Sequence, residues 1–135
     1  MNPYQCIEEF LRKYEYNCTL NDGTALVAQF SDPFQIATPE GTKMVDRKTF
    51  AAGISRRRQL MKQMGCGEAQ MISIATTLLD QRYALARTQW QFSTRDEGKR
   101  ICTESTFLIE DVTGEPKIVL YLSHDDLQGK LSERG

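Results

Sequence analysis

Tyr14 stands on the apolar face of an N-terminal helical run, and it is the side chain of this 135-residue sequence with the clearest chemical use. A phenol is neutral at pH 7 and donates a strong hydrogen bond. It could therefore polarise a carbonyl, or it could be a core tyrosine whose hydroxyl meets a backbone carbonyl. His124, the only histidine, lies beside Asp125 and Asp126 at the end of the last strand-like run. A histidine with a carboxylate can move a proton near neutral pH. Successive strand residues point to opposite faces, so Asp126 is better placed than Asp125 to orient that ring. The plainer reading is a strand-end histidine next to a helix-capping aspartate. The catalytic candidates are thus Tyr14, His124 and Asp126. Trp90, the single tryptophan, could stack on a ligand or fill the core. Asp32 precedes Pro33 and reads as a turn residue rather than a pocket acid. Arg56, Arg57, Arg58 and Lys62 form a basic run that reads as the solvated face of a helix rather than an anion site.

Several classes are excluded. Cysteines stand at 6, 18, 66 and 102 with no CxxC pair, and one histidine is too few for the common zinc sets, so neither a metal nor a cofactor is expected. Reduced, mostly buried thiols are expected instead. The net charge of -1 gives no basic field, which argues against nucleic acid. No apolar run approaches the roughly 18–20 residues that span a bilayer. The segment from Met1 to Phe10 carries Glu8 and Glu9 and lacks the apolar centre of a signal peptide, so a cytoplasmic location is expected. With 40% hydrophobic residues, residues 1–135 are expected to fold as a single domain.

The elements that must position these residues can be traced along the chain. Asn2-Pro3 is a helix start, with Asn as the cap and Pro at the first helical position. Ile7, Phe10, Leu11, Tyr14 and Cys18 recur at helical spacing, and the helix is expected to end near Leu20. Asp22 can cap a short second helix with Leu26, Val27 and Phe30 on its apolar face, ended by Asp32-Pro33. Phe34 to Thr38 alternates as a strand, Pro39-Glu40-Gly41 turns, and Lys43-Met44-Val45 returns. Asp46 caps a third helix carrying Phe50, Ile54, Met61 and Met64 on one face and ending at Gly65-Cys66-Gly67. Strands are then predicted near 69–79, 82–94, 100–112 and 117–124. Long strands with short connections suit one highly twisted antiparallel sheet.

Alternation fixes the faces. Ala84, Ala86, Thr88, Trp90 and Phe92 share one face with Ile101, Thr103, Ser105, Phe107 and Ile109, and this set is expected to lie under the helices. Arg87 and Glu104 fall on the other face as a cross-strand ion pair. That outer face also carries Leu85 and Leu108, and the last strand, from Ile118 to Leu122, is apolar on both sides. Helices cover only one side of such a sheet, so a second copy of the chain is expected on the other, giving a homodimer.

The sequence resembles the nuclear transport factor 2-like superfamily, in its ketosteroid-isomerase and polyketide-cyclase-like (SnoaL-like) branch. The resemblance spans essentially the whole chain. It is carried by Tyr14 through Asp22-Gly23, by Ala28-Gln29-Phe30-Ser31-Asp32, by Thr38-Pro39-Glu40-Gly41, and by Pro116-Lys117-Ile118-Val119 with Asp125-Asp126. It implies an α+β fold, a cone-shaped barrel of N-terminal helices packed on a strongly curved antiparallel sheet. It also implies an apolar pocket between the layers. In the isomerases a first-helix tyrosine donates to an oxyanion, and Tyr14 falls at that place. The general-base carboxylate falls at Thr38, which cannot act as a carboxylate base, and the second acid falls at Ser105. Steroid isomerisation by that route is therefore not expected. The expected pocket residues are Tyr14, Phe34, Thr38, Phe50, Met61, Trp90, Ser105 and Phe107, and the expected partner is an apolar or aromatic small molecule. Two rivals stand beside this binding role. One is an isomerase, cyclase or dehydratase acting on an apolar carbonyl compound; the other is a protein-interaction module using the outer sheet face.

Overall fold

The computed structural model describes residues 2–20, 22–94 and 100–125. The first helix, α1 (Pro3–Asn17), starts with a full capping box. Asn2 Oδ1 accepts from Gln5 N at 2.9 Å, while Gln5 Oε1 accepts from Asn2 N at 3.2 Å. It buries Ile7 and Leu11, and its end at Asn17, short of Leu20, coincides with Arg58 Nη2 reaching the carbonyls of Asn17 and Cys18. A cation at that end complements the helix dipole.

The second helix, α2 (Thr24–Val27), is a single turn. Asp22 prepares it by accepting from both Thr24 N (2.9 Å) and Thr24 Oγ1 (2.6 Å). The sequence placed its end at Asp32-Pro33, and this is corrected. The chain leaves the helix at Ala28 because buried Gln29 is held from three sides. Its amide donates to Phe10 O at 3.0 Å and accepts from Asn17 Nδ2 at 3.1 Å, and its carbonyl accepts from Ile118 N at 2.8 Å. Strand β1 (Phe30–Thr38) therefore starts early and contains Asp32-Pro33, joined by a cis peptide bond.

Strand β2 (Gly41–Val45) returns from the hairpin, and α3 (Arg47–Gln63) follows, capped by Asp46 Oδ1 on Thr49 N at 2.7 Å. Gly65 takes a positive φ of 76°, which lets the chain turn off this helix without a Cβ clash. Strands β3 (Gln70–Leu78), β4 (Tyr83–Ser93), β5 (Arg100–Glu110) and β6 (Lys117–Ser123) complete one sheet of order β2-β1-β6-β5-β4-β3. Its pairs are antiparallel except β1 with β6, which is parallel, and β2 and β3 remain as edges, so the sheet is curved but not closed. This is the expected α+β cone, with an open sheet in place of a full barrel.

The predicted faces hold. Ala84, Ala86, Thr88, Trp90 and Phe92 are buried on β4, and Ile101, Ser105, Phe107 and Ile109 on β5. Arg87 Nε pairs with Glu104 Oε1 on the opposite face. A register shift in the β5–β6 pairing, where Leu108 and Ile109 stand opposite Leu120 and Ile118 and skip Val119, turns Ile118 inward with Tyr121, while Leu120 and Leu122 face out. The four cysteines form no disulfide, but the expectation of mostly buried thiols is corrected. Cys102 is exposed on the outer face, and Cys6, Cys18 and Cys66 are half-buried. No helix among the described residues is long and apolar enough to cross a membrane.

Candidate functional site

The helices and the sheet leave a cavity of about 100 Å³ between them. Each layer supplies part of its wall. Helix α1 contributes Tyr14 and Cys18, α3 contributes Arg57 and Met61, and the sheet contributes Trp90, Phe107, Ser105 and Tyr121, with Asp125 just beyond β6. Tyr14 is the centre of the aromatic part. Its ring meets Phe107 at 5.1 Å, Trp90 at 5.8 Å and Phe30 at 6.0 Å between centroids, the first two edge to face. Such contacts fix an aromatic ring in orientation as well as position.

The polar atoms form a second, converging set. Trp90 Nε1 donates to Thr88 Oγ1 at 2.7 Å, and that hydroxyl donates to Ser105 O at 2.8 Å, so the indole is locked to the wall. Ser105 Oγ lies 3.3 Å from the Tyr121 hydroxyl. The Tyr14 hydroxyl lies near the Cys18 thiol one turn further on. Burial first, and then the neighbouring thiol, hold the Tyr14 phenol well above its ordinary range, so it is a neutral donor at pH 7. Asp125 is the one carboxylate among the described wall residues, and its Oδ2 accepts from Glu104 N at 2.6 Å.

Burial pushes the Cys18 thiol from 9.0 to about 11, against the opposing pull of Arg57 and Arg58. It is thus a protonated thiol at neutral pH and no nucleophile. The sign for stability follows directly. A group that keeps its proton longer when folded gives full stability below pH 9.0 and loses it as pH rises toward 11. A rise of this size corresponds to at most about 3 kcal/mol. Urea unfolding between about pH 8 and about pH 10.5 should show a steeper loss in the native protein than in Cys18→Ser. Equal slopes would contradict this description of the thiol.

No family model matches the sequence, and neither does any curated protein. Solved structures do match in shape. An NTF2-like protein with a cystatin-like fold from Novosphingobium aromaticivorans superposes with a TM-score of 0.72 at 17% identity, over 97% of this chain and 86% of that one. An NTF-2 like protein of unknown function from Shewanella oneidensis MR-1 gives 0.69 at 16% identity, over 92% and 100%. A protein provisionally named a polyketide cyclase from Xanthomonas campestris pv. campestris gives 0.62 at 17% identity, over 99% and 100%. The fold is nuclear transport factor 2-like. Identities this low carry the fold and leave the chemistry to the site itself.

Within this nuclear transport factor 2-like cone, Tyr14, Met61, Trp90, Ser105 and Phe107 come together around one cavity. Phe34 and Phe50 do not line it. They close on Phe30 at 4.5 to 4.8 Å in a three-ring cluster that fills the space between α3 and β1. Thr38 is also displaced from the expected pocket. It is exposed at the hairpin end, where its Oγ1 accepts from Glu40 N at 3.2 Å. An aspartate at 38 would sit in the same exposed turn, away from the Tyr14 cavity. His124 is exposed on the outer face, with Nε2 2.8 Å from Thr106 Oγ1, because alternation turns it away from inward Ser123 and Tyr121. Asp126 lies outside the described residues.

Arg57, Tyr121 and Asp125 are polar wall residues outside the pocket set expected from the sequence. Arg57 was assigned to a solvated face, yet it follows Ile54 by three residues and precedes Met61 by four, which is the spacing of one helix face. Tyr121 was hidden in a strand apolar on both sides, where only the β6 irregularity decides which residues face inward. Asp125 was judged only as a partner for His124.

Proposed function

We propose that this protein is a small-molecule-binding domain whose ligand occupies the cavity at Tyr14, Met61, Trp90, Ser105 and Phe107, and that it works as a homodimer joined through the outer sheet face. The observation that carries the binding role is the convergence of the Tyr14, Tyr121 and Ser105 hydroxyls on a space floored by Trp90 and Phe107. An apolar pocket with a few aimed polar groups is the general form of a ligand site. At about 100 Å³ the cavity takes a compact apolar or aromatic compound, or one end of a larger compound that projects outward. Binding is favoured over catalysis because Asp125 is already bonded to Glu104 N and Cys18 is protonated, which leaves no free base among the described wall residues. Solved relatives provisionally named a polyketide cyclase and a scytalone dehydratase keep the enzyme reading as the rival.

Support for the dimer comes from a cross-strand row on the uncovered face. Leu85 stands opposite Leu108, Leu108 opposite Leu120, Leu120 beside Gln35, and Gln35 opposite exposed Met44. A largely apolar row of this kind, interrupted only by Gln35, on a face without helices is what a self-complementary interface covers.

The binding role is tested by Tyr14→Phe. The change keeps the ring and its three aromatic contacts but deletes the hydroxyl. Calorimetric titration with p-cresol and related phenols should show affinity lowered by about 0.5–1.5 kcal/mol, the net value of one hydrogen bond. Unchanged affinity together with a lowered melting temperature would make Tyr14 a core residue and sink the assignment.

A further inference from the structure

Arg57 has an unusual position for a helix-surface arginine. Its side chain is exposed at the mouth of the cavity, while its guanidinium faces the hydroxyls of Tyr121 and Tyr14 rather than a carboxylate. Among the described residues no aspartate or glutamate lies in ion-pair range of it. The one carboxylate in the wall, Asp125, is turned to Glu104 N. Beside the arginine are two phenol donors and the Ser105 hydroxyl, and behind them stand the faces of Trp90 and Phe107. A planar fork of N–H donors with adjacent hydroxyls matches the two oxygens of a carboxylate, and such charge-assisted bonds are about twice as strong as neutral ones.

We propose that the cavity selects short monocarboxylates, held with the carboxylate between Arg57 and Tyr121 at the mouth and the apolar end against Trp90 and Phe107. This rests on the binding role proposed above and names the ligand class. Size limits the apolar end. A cavity of about 100 Å³ has the volume share of roughly three waters, so it admits a few carbon atoms behind the carboxylate.

The test is a matched titration of the intact protein, followed by Trp90 fluorescence at constant ionic strength, with butyrate against butyramide and isobutyrate against isobutyramide. The acids should bind at least tenfold more tightly than their amides. Arg57→Gln should remove that preference, lowering butyrate affinity about tenfold or more. Arg56→Gln, a neighbour on α3 outside the cavity wall, should leave butyrate affinity unchanged. Amides that bind as tightly as acids would overturn the carboxylate assignment and leave the binding role standing. An equal loss in Arg56→Gln would do the same, by reducing the effect to general surface charge. Failure of both acids and amides to bind would overturn the carboxylate assignment, and failure of p-cresol as well would overturn the binding role with it.

Discussion

Replacing Phe107 by alanine is expected to cost about 3–5 kcal/mol of stability, the usual range for a buried phenylalanine truncated in a core. The ring is fully buried on β5 and lies between Tyr14 at 5.1 Å and Tyr121 at 5.3 Å, both edge to face. Its cross-strand neighbours are Ala86 and Tyr121. Alanine at 86 leaves nothing large to move into the gap, so collapse is limited and the full cavity cost should remain. A domain of this size typically holds 5–15 kcal/mol in all, so about a fifth of its stability or more would go. The melting temperature should drop by about 10–20 °C. A drop of only one or two degrees would mean that Tyr14 is not braced by this ring, and the described aromatic wall would be wrong.

The second large effect concerns assembly. Leu108 is half-buried at the middle of the outer row, opposite Leu85 and Leu120. In a two-fold symmetric interface each substitution counts twice. Losing two leucine contacts at about 2 kcal/mol each weakens the dimer by about 4 kcal/mol, roughly a thousandfold, before the cost of desolvating two carboxylates. Leu108→Asp should therefore sediment at the single-chain mass of 15.4 kDa at micromolar concentration, while the native protein sediments at twice that. The circular dichroism of the variant should be native, because position 108 points away from the core. A native protein that is monomeric under the same conditions would refute the dimer.

Much of the fold was legible because it rests on local signals. Asn2-Pro3 and Asp46 start their helices through caps that need no tertiary context, and strict alternation from Ala84 to Ile109 fixes which face is covered. What was not legible depends on contacts distant in sequence. Gln29 ends α2 through bonds to Phe10, Asn17 and Ile118, and nothing in its immediate neighbours announces them. The parallel pairing of β1 with β6 brings together segments at opposite ends of the chain. The same division runs through the site. Tyr14, Trp90, Ser105 and Phe107 meet around one cavity, and the inward facing of each follows from the period of its own element. Phe34 and Phe50 were misplaced because an inward ring can either line a space or fill it, and only their packing on Phe30 decides. Thr38 was carried over from a resemblance whose pocket geometry this hairpin does not reproduce.

The space beside Trp90 is proposed here as a ligand site, and the indole N–H signal reads its occupancy. Trp90 is the only tryptophan, so the proton–nitrogen correlation spectrum contains one indole cross-peak, from a group bonded to Thr88 Oγ1 inside the wall. On titration with short acids and small phenols, that peak should move saturably and with one stoichiometric site per chain. A peak that stays fixed across the whole panel, while the protein remains folded, would contradict the account.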